Sequence, residues 1–115
     1  MASQMGRNGL EIKFEFESGQ TDSDPVDIQQ GCFGTLIVPV GSSLIGKALQ
    51  IVAVSSQSPA KFTAVELLSS AITLVAGANP LSADAIREAG AASRIMLRVD
   101  SAVASDSECV LLWKS

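Results

Sequence analysis

The chain has no histidine and no tyrosine among its 115 residues, so any proton transfer would fall to its carboxylates, its lysines or its two thiols. Asp22, Asp24 and Asp27 stand in a D-x-D-x-x-D order that could touch a hard cation. The order lacks the following glycine and the closing glutamate of a calcium loop, so it reads as a Ser/Asp-rich turn. Cys32 and Cys109 are the only cysteines. Two thiols without histidine do not build an ordinary four-ligand zinc site, and no C-x-x-C pair is present. They are expected as two reduced, mostly buried thiols, with a disulfide between the first and last thirds of the chain as the alternative. GSSLIG (41–46) and GANP (77–80) are too poor in glycine for a phosphate cradle. The residues therefore predict no catalytic set, no cofactor and no metal site.

Charge points instead to contact with other proteins. The net charge is −4, the wrong sign for a phosphate backbone, so nucleic acid is not an expected partner. Residues 11–27 hold six acids, Glu11, Glu15, Glu17, Asp22, Asp24 and Asp27, against Lys13 alone, whereas residues 28–115 are balanced at six acids and six bases. This strip is either a solvated edge or an acidic surface that meets a basic one. Arg94 and Arg98 would share one strand face. They are either solvated or form a basic stripe that meets a carboxylate row on a neighbour, and the strip at 11–27 of another copy would suit it. Trp113, the sole tryptophan, either staples the last strand into the core or anchors an interface.

Such residues would be held by strands. LEIKFEF (10–16) alternates apolar and charged residues with period two, as a strand with one buried face does. TLIVPV (35–40) is apolar on both faces, and its proline places its end at an edge or bulge. ALQIVAV (48–54), KFTAVEL (61–67), a short run at 71–76 and SRIMLRV (93–99) follow, with SSQSPA (55–60) as a loop and Gly77, Asn79 and Pro80 as a closing turn. LSADAIREAG (81–90) is the one helical stretch, at most two turns, capped by Ser82 and stopped by Gly90. DSAVASDSE (100–108) reads as the hinge of a final hairpin and CVLLWK (109–114) as its return strand. Residues 10–115 thus predict one all-β domain, an antiparallel β-sandwich or jelly-roll-like barrel with one short connecting helix. MASQMGRNG (1–9) reads as a flexible arm or a cloning-vector leader, and no apolar stretch is long enough to cross a membrane as a helix.

The order S-G-x-T-x-S-x-x-V-D-I-x-x-G near 18–31, then TLIVPVG, LQIVAVS at 49–55, DAIREAGAASRIMLRVDSAVAS at 84–105 and a last VLLW resembles a group of small tailed-bacteriophage structural proteins encoded among the head genes. The resemblance implies a capsid decoration, or cement, protein that binds the outer surface of the head and stiffens it, often as a homotrimer. Its partners would be the major capsid protein and further copies of itself, and it would be found in the virion after assembly in the host cytoplasm. Strand 10–16 (Glu11, Lys13, Glu15), its extension through Glu17, Asp22 and Asp24, and the Arg94/Arg98 face are then the expected contact surfaces. A head–tail or tail-tip component is the alternative. A carbohydrate-binding module fits less well, because such modules present two or three exposed aromatics and this chain is 4% aromatic.

Overall fold

The computed structural model describes residues 10–54, 65–92 and 94–114. The expectations for residues 1–9 and for the loop at 55–60 lie outside them. The strands are β1 (Leu10–Phe16), β2 (Val26–Asp27), β3 (Phe33–Val38), β4 (Ala48–Ala53), β5 (Val65–Thr73) and β6 (Gly77–Pro80). Helix α1 (Ala83–Ala92), β7 (Arg94–Val99) and β8 (Ser107–Lys114) complete the order. They form two four-stranded antiparallel sheets, β1-β8-β3-β6 and β2-β7-β4-β5. The expected all-β, sandwich-like architecture with one short helix is therefore observed.

Alternation builds the core. In β1, Phe14 and Phe16 are buried while Glu11, Lys13 and Glu15 are exposed. Burying two such rings contributes about 1.5–3 kcal/mol each. Leu36 and Val38 from β3, Leu49 and Ile51 from β4, Ile95, Leu97 and Val99 from β7, and Cys109, Leu111 and Trp113 from β8 join them in one cluster shared by both sheets. Trp113 is 2% exposed and its indole N–H donates to the Gln29 carbonyl at 2.7 Å. Gly34, its register partner, makes room for the ring: a Cβ there would stand 3.0 Å from the indole. Trp113 is thus a core staple, which removes it from the candidate interface residues.

Several local expectations are corrected. The hinge at 100–108 does not turn a hairpin, because β7 lies in one sheet and β8 in the other. Val103 in the middle of that segment is buried, and its backbone exchanges hydrogen bonds with Gly19 and Gln20 at 2.9 and 3.0 Å, so the segment plugs the end of the sandwich. GANP is an edge strand and not only a turn, with Pro80 at the sheet border, where a missing N–H costs no ladder bond. The separate strands expected at 61–67 and 71–76 are one, β5, with a register shift opposite Leu49 and Ile51; residues 61–64 lie outside the described residues. Ser82 caps α1 as expected, accepting from the Ala85 N–H at 3.1 Å. Gly90 does not stop it. The helix runs on to Ala92, and Gly90 is buried where a Cβ would meet Gln30 Cα at 3.0 Å. Cys32 is exposed and Cys109 buried, so only one of the two free thiols is buried.

Candidate functional site

The acidic lead divides between two uses. Residues 21–27 run beside β7 at the border of the second sheet: Val99 N–H donates to the Thr21 carbonyl at 2.9 Å, Ser23 N–H to the Leu97 carbonyl at 2.9 Å, and Val26–Asp27 pair with Ile95–Arg94. The buried Ser23 hydroxyl accepts from the Leu97 N–H at 2.9 Å, taking the place of a ladder acceptor. This alignment brings Asp22 to Arg98 in a two-pronged pair, Nε–Oδ1 2.8 Å and Nη2–Oδ2 3.1 Å, and Asp27 to Arg94 at 3.2 Å. The carboxylate partners of the two arginines are therefore in the same chain. That corrects the reading in which the acidic strip of another copy supplies them, since pairing of 21–27 with β7 already places the acids within reach. It also gives two carboxylates of D-x-D-x-x-D a role, and among the described residues no cluster fit to hold a metal ion is present.

The remaining acids gather at one end of the sandwich. Register places Glu15 directly opposite Glu108, and Asp24 N–H donates to the Glu15 carbonyl at 3.3 Å, so the lead folds back over the end of β1. Glu15, Glu17, Asp24, Asp106 and Glu108 line an open recess of about 290 Å³ there. Asp106 accepts from the Ser18 N–H at 2.8 Å. Lys13 bridges the like charges, 3.0 Å from Glu108 and 3.9 Å from Glu15. The hydrogen bond and charge of Glu108, with the charge of Glu15, hold the Lys13 ammonium above its ordinary range. Two carboxylates facing each other across a strand pair destabilise it, and one exposed lysine offsets only part of five negative charges. A cationic surface seated here would relieve that repulsion. Asp106 and Glu108 were missed in the sequence because they lie some ninety residues from the acidic strip and only the β1–β8 pairing joins them.

The expected contact residues do not form one surface. Glu11, Lys13 and Glu15 project from the outer face of the first sheet, Asp22, Arg94 and Arg98 lie on the second sheet, and Glu17 and Asp24 stand at the recess. Of the described aromatic residues only Phe33 is exposed, while Phe14, Phe16 and Trp113 are buried, so the described surface shows no pair of rings for stacking on a sugar. No family model matches the chain, and neither does a curated protein or a solved structure.

Proposed function

We propose that the chain is a virion structural protein, a capsid decoration protein that docks its acidic end on a basic area of the outer head surface and so holds neighbouring capsomers together. The observation that carries this reading is the recess of five carboxylates at one end of a rigid two-sheet scaffold. It gathers most of the negative excess of the chain in one place, as a docking surface for a cationic protein requires. The motif order described above supplies the head as the partner. Each docked copy adds interface that must be broken before the shell opens, and self-association makes several weak contacts act together. No chemical transformation enters this role. Electron cryomicroscopy of particles made with and without the chain tests it. Added density on the outer head surface is the expected result. Density on the tail moves the protein to a head–tail or tail-tip role, and identical particles overturn the proposal.

A further inference from the structure

The outer face of the first sheet carries a regular chequer of apolar and charged side chains. Strand registers align it in rows: Lys13, Val110, Ile37 and Ala78 in one, Glu11, Leu112, Thr35 and Pro80 in the next. Glu108 flanks the first row and Lys114, beside Phe33, flanks the second. Ile37, Val110 and Leu112 belong neither to the core nor to the side chains packed against it, and Phe33 is 66% exposed.

We propose that this face pairs with the same face of a second copy about a two-fold axis lying across the strands, midway between the two central rows. That rotation keeps each strand over its own counterpart and exchanges the rows. Lys13 then faces the other copy's Glu11, Glu108 faces its Lys114, Val110 faces its Leu112 and Ala78 faces its Pro80. Lys13, Glu11, Glu108 and Lys114 each meet an opposite charge, Val110, Leu112, Ala78 and Pro80 meet apolar partners and Ile37 faces Thr35, while Glu15 lies at the end of the face beyond the described part of the facing strand. The other in-plane axis, along the strands, lays Lys13 on Ala78 and Glu11 on Pro80 and strands four charges against apolar surface, an unfavourable arrangement. The pairing is isologous and therefore closed, as most homodimers are. Four strands ~4.8 Å apart and four rows ~6.7 Å apart give a patch on the order of 500 Å² per copy. A total near 1,000 Å² sits at the low end of specific interfaces, the size of weak, reversible association.

The pairing does not rest on the capsid reading, and it is two-fold where the resemblance implies three-fold order. Sedimentation velocity of the full chain without shells tests it directly. The expected result is a concentration-dependent rise to twice the 11.9 kDa chain mass. Leu112→Glu abolishes the rise, with circular dichroism confirming the fold. Lys114→Glu weakens it about tenfold, and Glu108→Lys combined with Lys114→Glu restores it because opposite charges again meet. A monomer at all concentrations, a trimer, association that survives Leu112→Glu, or failure of the charge exchange to restore pairing overturns the proposal. If Leu112→Glu removes shell binding while the wild-type chain stays monomeric, the face belongs to the shell and the self-pairing is wrong.

Discussion

Asn79 offers a sharp test of how the first sheet is held at its border. It is 5% exposed, one of two buried polar residues on the described part of the chain. Its Oδ1 accepts from the Val75 N–H at 2.9 Å, and its Nδ2 donates to the carbonyls of Val75 (2.9 Å), Gly77 (3.1 Å) and Leu36 (3.2 Å). One side chain thus closes the turn before β6 and bonds the β3 backbone. With two hydrogens shared among three carbonyls, the amide supplies about three net hydrogen bonds at ~1 kcal/mol each. Asn79→Ala should therefore cost about 3 kcal/mol, a large part of the 5–15 kcal/mol typical of a domain. With an m-value of ~1.5 kcal/mol per molar urea, the midpoint falls by about 2 M. Asn79→Asp should cost more at neutral pH, because a carboxylate replaces the donor against three carbonyl oxygens. Protonation restores one donor, so its deficit relative to wild type narrows as pH falls. Urea titrations followed by the fluorescence of Trp113, the sole and buried tryptophan, give both values. A loss within about 0.5 kcal/mol for Asn79→Ala, or an Asn79→Asp deficit that does not change with pH, refutes the reasoning.

Gly90→Ala should destabilise the protein by roughly 1 kcal/mol despite a helix-propensity gain of similar size, since the added methyl meets backbone at Gln30 Cα; a raised melting temperature would show that the contact yields. In the native protein a thiol reagent should label Cys32 and spare Cys109, with both labelled in denaturant. Burial, then the charge of Glu108, pushes the Cys109 thiol from its ordinary 9.0 to about 12, so its thiolate fraction at neutral pH falls about 1,000-fold. Because the folded state holds that proton more tightly, the contribution of Cys109 to stability should be fully present below pH 9 and be lost as pH rises from 9 towards about 12. The raised Lys13 acts in the same direction above its ordinary 10.5. Cys109→Ala should flatten the first part of that alkaline decline, and an unchanged decline in urea midpoint would contradict the assignment.

The elements easiest to read in the sequence were those whose pattern is local. The alternation of LEIKFEF gives β1 with its buried and wet faces, and Ser82 marks the start of α1. Where one residue type serves two physical purposes, sequence alone misleads. Gly90 resembles a helix stop but provides a close approach to Gln30, and Pro80 resembles a turn but ends an edge strand. Pairing between sheets is not local either. SRIMLRV and CVLLWK look like the two arms of a hairpin, yet Val103 between them is buried and β8 pairs with β1 and β3 in the other sheet. The site follows the same logic. The acidic strip is visible as a cluster, but which acids meet arginines depends on residues 21–27 lying along β7, and the recess depends on Glu108 lying opposite Glu15.

The proposed docking seats the acidic end on a cationic shell protein. Co-sedimentation of the purified chain with shells assembled from the major capsid protein of the same genome tests it most directly. Saturable binding that weakens steadily with added salt, and that falls about tenfold or more in a Glu17→Lys, Asp24→Lys variant of unchanged fold, is the predicted result. Binding that ignores salt and both substitutions, or no binding at all, contradicts it.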